Sequence, residues 1–117
     1  MITVRLPWPP KVLWVNRKAR WAKRAPAAKK YRHDAQILTL CEMKYRINTS
    51  PHLCLTFCPP DRRRRDLDGM LSAIKPGLDG IADALGVDDQ HFTLQLERGE
   101  PTKGGEVVAV ITEGDKA

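Results

Sequence analysis

The sequence predicts an α+β domain in which two helices pack on a small mixed β-sheet, in the order β-α-β-α-β-β. Three observations predict it. Short segments at 2–8, 52–58 and 91–98 alternate apolar and polar residues, the period of a half-buried strand, and 106–113 is dense in valine. Longer segments from about 26 and from about 68 repeat apolar residues at steps of three and four, the period of a helix. The length of 117 residues, with 42% hydrophobic against 29% charged residues, fits one globular domain over 1–117 and excludes both a multi-domain enzyme and a wholly disordered chain.

In the first strand Ile2, Val4, Leu6 and Trp8 share a face, so Trp8 is expected in the core, and Pro7, Pro9 and Pro10 end the pairing. Residues 9–25 read as a long basic loop. Pro26 suits the first turn of a helix, which should then run through Ala27, Tyr31, Ala35, Leu38, Cys41 and Tyr45 until Asn48, Thr49, Ser50 and Pro51 stop it. The strand at 52–58 sets Leu53, Leu55 and Phe57 opposite Cys54, Thr56 and Cys58 and delivers the chain to Pro59, Pro60 and the loop DRRRRD. A second helix over about 68–85 carries an apolar seam of Leu67, Leu71, Ile74, Leu78, Ile81 and Leu85; Pro76 should kink or restart it, and Gly86 is a natural stop. In the third strand Phe92, Leu94 and Leu96 share a face, and PTKGG at 101–105 has the glycines of a turn before the fourth.

Charge is unevenly spread along the chain. Residues 1–33 hold ten Lys or Arg and no acid, whereas residues 66–117 hold four bases and eleven acids, within a formal net charge of +6. A basic surface beside a carboxylate-rich region points to a polyanion, nucleic acid above all. All three tryptophans, Trp8, Trp14 and Trp21, lie in the acid-free quarter among Arg17, Lys18, Arg20, Lys23 and Arg24, where rings can stack on bases while cations hold phosphates; for Trp14 and Trp21, packing is an equal alternative. No apolar run is long enough for a membrane span and Arg5 and Pro7 interrupt any signal-peptide core, so an intracellular, cytoplasmic protein is expected. Cys41, Cys54 and Cys58 read as free thiols in a reducing compartment; a zinc site at His52, Cys54 and Cys58 lacks a second ligand pair at finger spacing.

Residues 66–89 contain six aspartates, Asp66, Asp68, Asp79, Asp83, Asp88 and Asp89, and no glutamate. Asp68, Ser72, Lys75, Asp79 and Asp83 form a polar stripe beside the apolar seam, and if the strands bring the helix ends together, three or four carboxylates converge. Such hard oxygen ligands suit Mg²⁺ or Mn²⁺. Helix capping is the competing reading of Asp66 and Asp68. The run Arg62, Arg63, Arg64 and Arg65 immediately before them tilts the balance, since guanidinium groups there would hold phosphates beside a metal; a salt-bridged loop is its plain alternative.

The segments PPDRRRRDLDGM, LGVDDQ, LPWPP and PTKGGEVVAVITE together closely resemble RusA-type Holliday junction resolvases, small endodeoxyribonucleases common in phages and prophages. The resemblance spans most of the chain, best at about 3–10, 59–89 and 101–113. It implies a homodimeric, Mg²⁺-dependent enzyme, with Mn²⁺ as a substitute, that nicks opposed strands of a four-way DNA junction. Carried over by position, Asp66, Asp68 and Asp89 match the catalytic, metal-holding aspartates, with Asp88 a weaker candidate. The family's lysine commonly follows the second aspartate by four residues, where Ser72 stands here; Lys75 lies on the same helical face and is taken as its counterpart. Gly69 stands where an asparagine often follows the second aspartate. Arg17, Lys18, Arg20, Lys23, Arg24 and Arg62 to Arg65 are the candidate DNA-binding residues, and a sheet face or the first helix around Ile37 and Leu40 is a candidate dimer surface.

Overall fold

The computed structural model describes residues 1–14, 21–44 and 50–114, with the side chains of Trp21 and Ala22 outside that description. Its elements are β1 (Ile2–Pro7), α1 (Trp21–Glu42), β2 (Pro51–Cys58), α2 (Leu67–Leu85), β3 (Thr93–Arg98) and β4 (Glu106–Glu113), with single 3-10 turns at Lys11–Leu13 and Asp89–His91. This is the α+β class, in the order β-α-β-α-β-β, that periodicity predicts.

The sheet order is β1-β4-β2-β3. β4 runs antiparallel to both β1 and β2, while β2 and β3 are parallel, as strands joined by a crossover helix must be. Hence β1, β2 and β3 all point one way and end where β4 begins: Pro7 and Cys58 both pair with Glu106, and Phe57 pairs with Arg98. The segments leaving three strands are thereby gathered at one end of the sheet. Ile2, Val4, Leu6, Leu53, Leu55, Phe57, Val107, Ala109 and Ile111 are buried in one core with α2, as the alternation requires.

Helix packing moves several expected boundaries. α1 begins at Trp21, so Pro26 lies inside it and the basic segment at 9–25 is in part helical. The cause is tertiary: Arg24 donates to the carbonyls of Leu13 (2.8 Å) and Val12 (3.5 Å), fastening the start of α1 to the 3-10 turn whose Leu13 is buried. α1 ends at Glu42, and Tyr45, Asn48 and Thr49 lie outside the described residues. α2 runs unbroken through Pro76. There Pro76 and Gly77 are buried, and a Cβ on Gly77 would stand 2.7 Å from Tyr31 Cε1, while one on Gly80 would run into the Arg32 carbonyl oxygen. The close contact with α1 offsets what the proline costs. Tyr31 is buried and its hydroxyl donates to Pro7 O at 2.6 Å, latching α1 to the end of β1; burial, then Asp34, pushes its pKa well above the ordinary tyrosine value.

The apolar seam of α2 differs from expectation in its first turns. Met70, Ala73, Ile74, Leu78, Ile81 and Leu85 are buried, whereas Leu67 and Leu71 are exposed, because α1 packs on Gly77 and Gly80 in the second half of the helix. β3 begins at Thr93 rather than at 91, because Asp89–His91 form a 3-10 turn; in this edge strand Leu94 is exposed and Leu96 half-buried, as is Phe92 just before it. All three cysteines are free; burial first, then Glu97 beside Cys54 and Glu106 near Cys58, raises those two thiol pKa values. Among the described residues no helix is long and apolar enough to cross a membrane.

Candidate functional site

The gathered end of the sheet carries most of the residues singled out by sequence. Trp8 follows β1 directly, and the 3-10 turn folds the chain so that Trp14 stacks on it, ring centroids 5.4 Å apart and planes 27° from parallel. Trp14 Nε1 donates to Pro9 O (3.1 Å), which fixes the second ring, and Phe57 meets Trp8 edge-on at 6.3 Å. Trp8 is therefore half-buried at the core's rim.

From the end of β2 the arginine loop folds over this aromatic pair. The Arg65 guanidinium lies 5.3 Å from the Trp8 ring centroid and reaches Asp61 Oδ1 and Arg63 O, each at 3.0 Å. Asp61 also accepts from the Arg63 backbone N–H (2.9 Å), and these bonds, Arg65 first, hold its carboxyl below the usual range. Arg65 and Asp61 thus bear out part of the salt-bridged-loop reading. Arg62, Arg63 and Arg64 are exposed. Arg98, at the end of β3, donates to Arg65 O at 2.7 Å. Sequence reasoning missed Asp61 and Arg98. The first had a signal in the acid-first DRRRRD spacing; the second, 33 residues from its partner, is brought there only by parallel pairing.

Asp66 occupies the N-cap position of α2 with extended backbone (φ −82°, ψ 150°) and without a side-chain cap hydrogen bond, so capping does not account for its carboxylate. Asp68 accepts from the Gly69 N–H at 3.1 Å. Both aspartates line an open cleft of about 500 Å³ together with Trp14, Arg64, Arg65, Gly69 and Ser72.

Asp89 follows the C-terminal end of α2. It starts the 3-10 turn after α2, where Lys75 Nζ bridges it to Asp79, the Asp79 contact being 2.7 Å. Lys75 lies seven residues beyond Asp68, roughly 10 Å along the helix axis. Burial alone would lower the Lys75 pKa, but the bonds to Asp79 and Asp89 outweigh it and hold the ammonium above its ordinary value; the same bond holds Asp89 below the usual carboxylate range. Among the described residues no three His, Cys, Asp or Glu side chains are grouped to hold one metal ion. Asp66, Asp68 and Asp89 thus do not stand as one ready-made ligand set among the described residues, with Asp89 held by Lys75, and neither do His52, Cys54 and Cys58.

The remaining aspartates have structural partners. Asp83 forms a two-pronged pair with Arg32 of α1 (2.7 and 2.9 Å), which lowers its pKa, and Asp88 accepts from the Gln90 N–H at 3.0 Å to cap the 3-10 turn. Lys23 is exposed, Arg24 is spent on the Leu13 carbonyl, and Arg17, Lys18 and Arg20 lie outside the described residues.

No family model matches the sequence. It is 37% identical over 117 residues to an uncharacterized protein of Xylella fastidiosa (strain Temecula1 / ATCC 700964), a match covering 96% of this chain and 76% of that protein. The chain belongs to the family of that Xylella protein. An uncharacterized relative supplies no activity, so the functional reading rests on the site itself.

Proposed function

We propose that this chain is a RusA-type, Mg²⁺-dependent endodeoxyribonuclease that resolves four-way DNA junctions as a homodimer in the cytoplasm of a bacterial or phage-infected cell. The observation that carries the reading is the Asp66 and Asp68 pair: two carboxylates, the first without a cap hydrogen bond, in a cleft walled by Arg64, Arg65 and Trp14. A cap alone has no use for guanidinium groups at that place, whereas a phosphodiester has use for both.

The donor set fits Mg²⁺, or Mn²⁺ in its stead, since such an ion is commonly held by one or two carboxylates, water and phosphate oxygens; Asp66 and Asp68 would hold it, with Asp89 joining if Lys75 releases it. When bound, the ion lowers the pKa of a water and offsets charge on the phosphoryl oxygens. Arg64 and Arg65 orient the backbone of the DNA, and the Arg65 plane is braced by Trp8 and Asp61. Lys75, kept protonated by Asp79 and Asp89, would offset charge on the phosphoryl group or position the scissile phosphate once Asp89 turns from it to the ion. The products implied by the resemblance are a 5′-phosphate and a 3′-hydroxyl. One chain carries one such cleft among the described residues, and two copies about a two-fold axis match the two strands to be cut.

A second reading, a nucleic-acid-binding module without catalysis, draws on the ion-paired state of Asp89 and Asp83. Cleavage of a labelled mobile junction with Mg²⁺ or with EDTA decides between them: metal-dependent paired nicks support the resolvase, and binding without nicks supports the module. Equal cutting of flap, duplex or RNA substrates would instead mark a general metal nuclease.

A further inference from the structure

The aromatic cleft beside the carboxylates has a chemistry of its own, and its reading rests on the DNA-cleaving function proposed above. Trp8, Lys11, Trp14, Asp61, Arg63 and Arg65 line an open cleft of about 580 Å³, within the roughly 300–1,000 Å³ of small-ligand sites. Trp14 and Arg65 also line the cleft of Asp66 and Asp68, so they form a shared wall between the two. We infer that this cleft is a nucleobase site: it takes one unstacked base of the DNA strand whose phosphate lies at Asp66 and Asp68, with Trp14 as the stacking surface.

Four features support this. The Trp14 indole is half-buried, which leaves ring surface to a ligand. Their arrangement is set in advance, by the Trp8 stack and by the bond from Trp14 to Pro9 O, so binding a base orders little that is not already ordered. Lys11 is exposed at the rim, and Arg63, 3.7 Å from Asp61 but itself exposed, adds a second cation for the flanking phosphates. The Arg24 bond to Leu13 O ties the turn that carries Trp14 to the start of α1. A ring that serves packing alone has no need of a cationic rim or of a wall shared with two carboxylates.

The test uses a mobile four-way junction in which each nucleotide around the branch is replaced in turn by an abasic analogue, with binding and single-turnover nicking measured for wild type, Trp14→Leu and Trp14→Phe. One abasic position is expected to weaken wild-type binding by about 5- to 150-fold. Trp14→Leu should weaken binding of the intact junction by a similar factor and be indifferent to that position, and Trp14→Phe should recover most of the loss. The abasic series uses the unaltered protein, so it decides the question even where Trp14→Leu fails to fold. A flat abasic profile in a chain that still nicks junctions overturns the base site and leaves the nuclease reading intact. Losses from Trp14→Leu and the abasic position that simply multiply make Trp14 a packing residue and overturn it likewise. A wild-type chain that neither binds nor nicks DNA removes the proposed function and the base site with it.

Discussion

The two halves of α2 bear the same kinds of residue and use them differently. In the second half each acid meets a base: Asp79 pairs with Lys75, which also reaches Asp89 in the turn beyond the helix, and Asp83 takes both prongs of Arg32. In the first turn Asp66 and Asp68 open onto a cleft in which Arg65 is already turned toward Asp61 and Trp8. The difference lies in what faces the helix. α1 packs against Gly77 and Gly80 and brings Arg32 with it, while the start of α2 faces loops from three strand ends. Acids neutralised within the fold stabilise it; acids left facing a cationic cleft are free to act on something else.

The sharpest way to break this comparison is to remove one carboxylate from each half. Asp68→Asn should lower metal-dependent cleavage by about 100-fold or more while junction binding persists or tightens, and Asp66→Asn should match it. Saturating Mg²⁺ should raise the Tm of the wild type and fail to do so in either variant, a readout independent of activity. Asp79→Asn and Asp89→Asn each remove one partner of Lys75, so a loss of cleavage confined to Asp89→Asn would assign Asp89 to the metal, and equal effects would assign it to the ion pair.

Next in size is Gly80→Ala. Its Cβ would run into a backbone oxygen, which cannot turn aside, so unfolding stability should fall by about 1–3 kcal/mol in a denaturant titration. The paired and unpaired cations then separate by salt dependence. Arg62→Ala and Arg64→Ala, exposed in the loop, should each lower the salt slope of DNA binding by roughly one, whereas Arg32→Ala should leave the slope unchanged and cost about 1 kcal/mol of stability or less.

The smallest effect is that of pH. Asp89 is held below its ordinary range, so its share of stability is complete above about pH 4 and is lost as pH falls through the lowered value. Lys75 is held above its ordinary value, so its share is complete below about pH 10.4 and is lost as pH rises through the raised one. Between those limits the Lys75–Asp89 pair should contribute no pH dependence, which a Tm series from pH 5 to 9 on the wild type and Lys75→Met would check.

Strand and helix identities were legible because alternation and the three-four step are properties of the local chain, and they survive any tertiary arrangement. Boundaries were legible only where the chain itself stops an element: Gly86, with φ +71°, ends α2 where expected, but the start of α1 depends on Arg24 reaching a carbonyl eleven residues back. The seam error at Leu67 and Leu71 has the same origin, since the period identifies a helix face but not how far along it a partner extends.

By itself the sequence determined the α+β order, the buried faces of β1 and β2, and the adjacency of the arginine run to Asp66 and Asp68, all of which follow from neighbours a few bonds apart. Only the tertiary structure decided that Asp89 shares Lys75 with Asp79, that Arg98 joins Arg65, and that Trp14 stacks on Trp8 beside the carboxylates. Those outcomes depend on the direction of three strands and the path of two connecting segments, and no local period along the chain encodes where distant ends meet.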